Sequence, residues 1–161
     1  IQDPTVWSDR SLLLGASNPL SPPLRLERQG DRIVGVVTFR DGHVGAPGWV
    51  HGGMLSCCFD QVLGYVLISE GIAVVTGSLQ VKYVSPTPLG QELRIEAWMA
   101  GSEGRRYQVQ GVCNAGDVVT AEATGTFVRI PIENLHERLA DANWTPRASV
   151  QDDPSSPVGG D

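Results

Sequence analysis

Hydrophobic positions in this chain follow two rhythms: one long apolar block stands between stretches that alternate residue by residue. Leu24–Gln29 and Arg32–Phe39 are short β-rich runs separated by Gly30-Asp31, the two-residue signal of a hairpin. Asp41-Gly42 ends the second run, and a glycine-rich loop follows from His43 to Val50. Gly53–Glu70 is the long apolar block and the only long helix candidate, with Gly71 where a left-handed C-cap glycine belongs. Apolar residues from Met54 to Ile68 cover nearly every face of that helix. A helix apolar all round is expected to be buried all round. In 161 residues, a sheet wrapped about one central helix achieves that.

The segments after the helix supply the sheet. Val75, Gly77, Leu79, Val81 and Tyr83 alternate with Thr76, Ser78, Gln80 and Lys82 until Pro86 and Pro88 stop the run. Leu93, Ile95, Ala97 and Met99 alternate with Glu92, Arg94, Glu96 and Trp98. Gly101 and Gly104 turn the chain into Arg106–Asn114, and Gly116-Asp117 turns it into Val118–Arg129. Such strands are long against a usual length of about 5–6 residues, and long antiparallel strands curl. The pattern is α+β: strand, strand, buried helix, then three or four long antiparallel strands. Three stretches follow: an irregular, proline-bearing arm over residues 1–23, a domain over 24–130, and a tail over 131–161. The tail is expected to hold a short helix at Asn134–Ala140 before a disordered end.

Composition narrows the function. A net charge of −6 and only ten aromatic residues argue against a nucleic-acid partner, and the acidic surface argues against an anionic membrane. The longest apolar stretch is interrupted by Ser56, Asp60 and Gln61, too short and polar to span a membrane. No basic segment followed by an apolar run opens the chain, so no signal peptide is expected; a start other than Met fits a trimmed or processed product. Cys57, Cys58 and Cys113 are an odd set without metal-ligand spacing and read as reduced core residues of a cytoplasmic protein. No metal and no cofactor is expected.

Asp60 is the anomaly. A carboxylate inside an apolar helix is costly unless hydrogen-bonded or open to a cleft. It belongs either to a helix face that meets solvent or a satisfied structural network, or to an active site as acid, base or nucleophile. Ser56, one turn earlier, and the adjoining Gln61 extend a polar stripe around it. His51-Gly52-Gly53 stands at the helix start, where free N–H groups and the helix dipole favour negative charge and glycine permits close approach. The tripeptide is either a plain tight turn or a set of donors for an oxyanion. Asp60 lies nine residues after His51, roughly 13 Å along the axis at about 1.5 Å per residue. Carboxylate and donors of one helix are therefore too far apart to meet at one carbonyl. A second subunit with an opposed helix would bring its Asp60 to this Gly52.

The segments GWVHGGMLSCCFDQVLGYV, VVTGSLQVKYVSPTPLG and GRRYQVQGVCNAGDVVTAEATGTFV resemble the hotdog-fold acyl-CoA thioesterases of the PaaI-like type, over roughly residues 18–130. The resemblance implies hydrolysis of acyl-CoA by a homodimer, often paired into a tetramer, with sites at the subunit interface. It implies Asp60 as the carboxylate, nucleophile or general base, and Gly52 as the residue whose N–H polarises the thioester carbonyl. His51 stands beside it, and Thr76 supplies the hydroxyl that places water. Gly53, Ser56, Lys82, Arg105 and Arg106 are candidate contacts to substrate or CoA; the three cations are equally compatible with solvated strand and turn positions. Where many relatives carry Asn or Gln six residues before the histidine, this chain has Gly45. Its Gly-Ala-Pro-Gly-Trp-Val run instead resembles the branch with mammalian-type medium- and long-chain acyl-CoA thioesterases. Asn18 resembles a structural Asn-Pro of relatives, Trp49 fits an acyl pocket or the start of the helix, and His43 and His136 read as surface or loop residues. Two alternatives remain: a hotdog hydratase or dehydratase, and a non-catalytic acyl-CoA-binding protein.

Overall fold

The computed structural model describes residues 11–131 except residue 16. The chain divides into two compact units, Ile1–Ile130 and Pro131–Asp161. The helix expected at Asn134–Ala140, His136 and the C-terminal tail lie outside the described residues.

Six strands and one long helix make up the first unit: β1 (Arg25–Gln29), β2 (Arg32–Thr38), α1 (Gly52–Ile68), β3 (Val74–Tyr83), β4 (Glu92–Glu103), β5 (Arg106–Ala115) and β6 (Val118–Arg129). All pairings are antiparallel, in the order β1-β2-β4-β5-β6-β3. The hairpin turns fall where the sequence puts them. Gly30, Gly104 and Gly116 carry positive φ of 64°, 57° and 59°, a conformation glycine adopts at no steric cost.

Helix α1 lies on one face of this sheet and the core forms between them. Leu55, Cys58, Phe59, Val62, Leu63, Val66 and Leu67 of α1 are buried against Ile33, Leu93, Ile95, Val109 and Phe127 of the strands. Each such large side chain contributes about 1.5–3 kcal/mol by leaving water. Close approach depends on small residues beneath the helix. A Cβ on Gly35 would stand 2.7 Å from Val62 Cγ2, and one on Gly111 would stand 2.8 Å from Leu63 Cδ1. At the far end Gly71 adopts φ 75°, and the Ile72 N–H returns to the Leu67 carbonyl at 3.1 Å, so the helix stops as its C-cap glycine predicts.

Two expectations change. The helix is not covered on every side within one chain: Ser56, Cys57, Asp60, Gln61 and Tyr65 are only half-buried and Ile68 is exposed. One sheet covers one side of a helix, and the opposite stripe, which carries Asp60, stays open. His43 is buried rather than on the surface. It closes a short 3-10 turn (Asp41–His43). Its Nδ1 accepts the Arg40 N–H at 3.0 Å and its Nε2 lies 2.9 Å from the Leu20 carbonyl. An Nδ1 acceptor leaves the ring proton on Nε2, and with both nitrogens engaged the ring can leave water.

Candidate active site

The start of α1 is capped by the side chain before it. His51 Nδ1 accepts the Gly53 N–H at 3.0 Å, while the His51 carbonyl accepts Met54 N–H at 2.9 Å and Leu55 N–H at 3.3 Å. A helix begins with four N–H groups lacking an intrahelical partner. The Leu55 bond is the first intrahelical one; of the four, His51 N–H goes to the His43 carbonyl at 2.8 Å and Gly53 and Met54 are taken as above, so only the Gly52 N–H of this turn has no acceptor among the described residues. The tripeptide is thus a tight turn whose capping singles out one amide.

Tyr83, at the end of β3, holds this tip from the side. Its hydroxyl donates to the Gly52 carbonyl at 2.7 Å and lies 2.6 Å from Ser56 Oγ, which then donates to it. The ring packs so closely that a Cβ on Gly52 would stand 3.1 Å from the Tyr83 hydroxyl and ring. Tyr83 was not recognised in the sequence. Its position on the strand parity of Leu79 and Val81 was the only signal, and a reach across to the helix cannot be read from parity.

Two turns further along α1, Thr76 Oγ1 donates to Asp60 Oδ1 at 2.8 Å. Strict alternation puts Thr76 on the face opposite Leu79, Val81 and Tyr83, and the structure corrects this. The register between β3 and β6 shifts between Thr76 and Ser78, so Gly77 is the extra residue of a β-bulge. A bulge re-aims the side chains on one side of it. Here it turns Thr76 to the helix side while Val75 becomes exposed. Glycine suits that position because a Cβ would stand 3.2 Å from the Thr126 carbonyl oxygen.

Asp60 and Gly52 are the two ends of one arrangement. Strand β3 runs antiparallel to α1, contacting Gly52 through Tyr83 and Asp60 through Thr76. Eight residues of helix separate the two positions, about 12 Å along the axis. β3 is also an edge strand with one unpaired side, and nearly all its residues are exposed or half-exposed.

A hollow opens at each end. Beside Gly52, a cleft of about 500 Å³ is lined by Trp49, Val50, Leu55, Tyr83 and the segment to Thr87. Trp49 therefore lines a cleft at the start of the helix. Beside Asp60, a cavity of about 410 Å³ is lined by Ser56, Cys57, Gln61, Leu79 and Ser11 to Leu13. Both volumes fall within the usual span of ligand sites, about 300–1,000 Å³.

The remaining candidates separate. Lys82 is exposed and pairs with Glu122 at 3.7 Å. Arg105 and Arg106 sit at the β4–β5 turn, where Arg106 is opposite Val128 and Val128 opposite Val75. Seven residues of strand lie between Val75 and Lys82, about 23 Å at 3.3 Å per residue. The three cations therefore do not form one patch in a single chain. Gly45 packs on the helix approach, and a Cβ there would meet the His51 Cα at 2.8 Å, so this backbone leaves no room for the amide that relatives carry. Asn18 is structural as expected, with its Oδ1 accepting the Leu20 N–H at 3.0 Å.

The three cysteines are free. Burial pushes the Cys58 thiol far up, and pushes Cys113 up to about 11 against a smaller opposing hydrogen bond with Thr120. No group of metal-ligating side chains occurs among the described residues, and no described helix is long and apolar enough to cross a membrane.

With this geometry in view, the likeness to known proteins is informative. Residues 47–111 match the thioesterase superfamily model. The acyl-coenzyme A thioesterase THEM4 of Mus musculus is 34% identical over 91 residues, 55% of this chain and 39% of that protein. Its Rattus norvegicus counterpart is 33% identical over 88 residues, 53% of this chain and 38% of that protein. The chain thus spans about two fifths of the length of these curated relatives. A crystal structure of a thioesterase superfamily protein superposes with a TM-score of 0.70 at 33% identity, covering 73% of this chain and 62% of that one. A Streptococcus mutans protein solved with acetyl CoA shares the fold, with a TM-score of 0.62 at 23% identity over 66% of this chain and 88% of that one. The six-stranded antiparallel sheet, its single packed helix and these matches agree: the chain has the hotdog fold and is similar to the thioesterase superfamily over residues 47–111.

Proposed function

We propose that this chain hydrolyses acyl-CoA thioesters at sites shared between two copies of itself. The observation that carries the reading is the Thr76–Asp60 hydrogen bond. It ties a carboxylate on the open stripe of α1 to a hydroxyl aimed by a bulge, and leaves Asp60 Oδ2 free to act.

In the proposed site Asp60 attacks the thioester carbonyl or takes a proton from water that does so. Thr76 orients the carboxylate, and its oxygen can also accept a hydrogen bond from that water. The negative charge that develops on the carbonyl oxygen needs a donor already in place, and one such donor is worth about 10²–10³ in rate. Gly52 N–H is that donor. His51 contributes by capping the turn, and Gly53 by letting the substrate approach.

One chain cannot complete the reaction because its Asp60 and Gly52 stand too far apart along α1. The free edge of β3 supplies the remedy. An exposed edge strand is a template for pairing. Two copies joined antiparallel through β3 about a two-fold axis bring the Asp60 end of each beside the Gly52 end of the other. The same pairing brings Lys82 of one copy toward the end bearing Arg105 and Arg106 of its partner, a local set of cations for CoA phosphates on an otherwise acidic protein. A pair of such dimers would form a tetramer.

The relatives named as acyl-coenzyme A thioesterases and the neighbour solved with acetyl CoA support the choice of substrate class. The test is thiol release from a panel of acyl-CoA esters by the wild type and by Asp60→Ala. Release by the wild type and its loss in a folded variant is the expected result. Binding of the esters without release would instead indicate a non-catalytic acyl-CoA-binding protein.

A further inference from the structure

The cavity beside Asp60 has one wall that the sheet and helix do not build. Ser11, Leu12 and Leu13 close it opposite Cys57, Gln61 and Leu79. This wall is a fixed turn. Ser11 Oγ accepts the Leu14 N–H at 3.2 Å, the Gly15 N–H returns to the Ser11 carbonyl at 3.1 Å, and the Asn18 side chain also reaches that carbonyl at 3.5 Å. Leu13 is 5% exposed within the core, and its carbonyl accepts the Leu24 N–H at 2.8 Å. Anchored through Leu13, the turn holds Leu12 at the cavity with 49% of its surface open.

The cavity's chemistry selects its occupant. Among the described residues, Asp60 is the only charged one in its lining. The Asp60 carboxylate disfavours an anionic nucleotide end there, while Leu12, Leu13, Leu79 and Cys57 offer apolar surface. We infer that the Ser11–Leu13 turn is the end wall of the acyl site, and that Leu12 sets the longest aliphatic acyl chain the enzyme accepts. This rests on the hydrolase reading above and adds to it a residue that measures the length of the acyl chain.

An exposed side chain can be changed without emptying the core, so Leu12 variants are expected to fold. A graded series of saturated acyl-CoA esters would be assayed for thiol release with the wild type, Leu12→Ala, Leu12→Trp and Trp49→Ala. Each buried methylene is worth about 0.8 kcal/mol, or about four-fold in kcat/KM. The wild type should climb by about that factor per carbon and then break. Leu12→Ala should move the break to longer chains and Leu12→Trp to shorter ones, with hydrolysis of the shortest ester changed less than about two-fold. Trp49→Ala should leave the break in place. A break that ignores both Leu12 changes, or one that moves with Trp49 instead, overturns this assignment while leaving the hydrolase reading intact. No release from any ester by the wild type removes the hydrolase reading, and this inference with it.

Discussion

The two ends of the α1–β3 pair are built in opposite ways. At the Gly52 end the chemistry comes from backbone, exposed by the absence of side chains: two glycines follow a capping histidine, and one amide is left without an acceptor. At the Asp60 end the chemistry comes from a side chain placed among apolar neighbours and steered by a hydroxyl from the next strand. The first end is a donor for negative charge; the second end carries negative charge. In the proposed reading each is half of a site, and the same helix that makes both rigid keeps them apart. On that reading the difference is why a complete site takes a second copy of the chain.

The largest effect should come from the charged end. Asp60→Asn keeps the shape and the Thr76 contact but removes the carboxylate, and thiol release should fall by about 10³-fold or more with an unchanged circular dichroism spectrum. Residual activity near that of the wild type would move the chemistry elsewhere. At the other end, Gly52→Pro deletes the free amide at a helix position where the backbone accepts proline, with the Tyr83 ring giving way slightly to the added Cβ. Turnover should fall by about 10²–10³-fold, mainly in kcat. A change confined to KM would assign the amide to ground-state binding. Thr76→Val should be smaller, about ten- to a hundred-fold, with recovery in Thr76→Ser; a valine enzyme of full activity would make the bulge purely structural.

The smallest effect belongs to Tyr83. Tyr83→Phe removes a hydroxyl that bonds the Gly52 carbonyl and Ser56, at about 0.5–1.5 kcal/mol for a hydrogen bond. Thermal unfolding should occur a few degrees lower, and kcat should fall several-fold while Asp60-dependent chemistry persists. Equal losses in Tyr83→Phe and Gly52→Pro would mean that the ring hydroxyl itself meets the substrate.

How much of this was legible in the sequence differs between the same two ends. Helix start, helix stop and the His-Gly-Gly turn could be read directly, because capping is a local matter of residues within four positions of one another. The location of Asp60 in an apolar block was equally plain. Its neighbourhood was not. The bulge at Gly77 inverts strand parity by one residue, and alternation in sequence carries no mark of an inserted position. Tyr83 and the Ser11–Leu13 wall act across gaps of tens of residues, which periodicity cannot bridge. His43 lies in a loop, one of its two expected settings, but its burial was not legible because a loop histidine is usually exposed; here Leu20, from the arm, supplies the acceptor that allows burial. The polar stripe around Asp60 was legible, but its openness ran against an all-apolar helix that implied cover on every side.

The shared site is tested most directly by mixing two inactive proteins. Asp60→Ala and Gly52→Pro would each be purified as folded dimers, then dissociated, combined and allowed to reassociate. If every site takes its carboxylate from one copy and its amide from the other, half the reassociated molecules are heterodimers with one intact site of two. Activity should then return to about one quarter of the wild-type value, as the symmetry of a two-fold assembly requires. A mixture with demonstrated subunit exchange that stays as inactive as its parents would contradict the shared site.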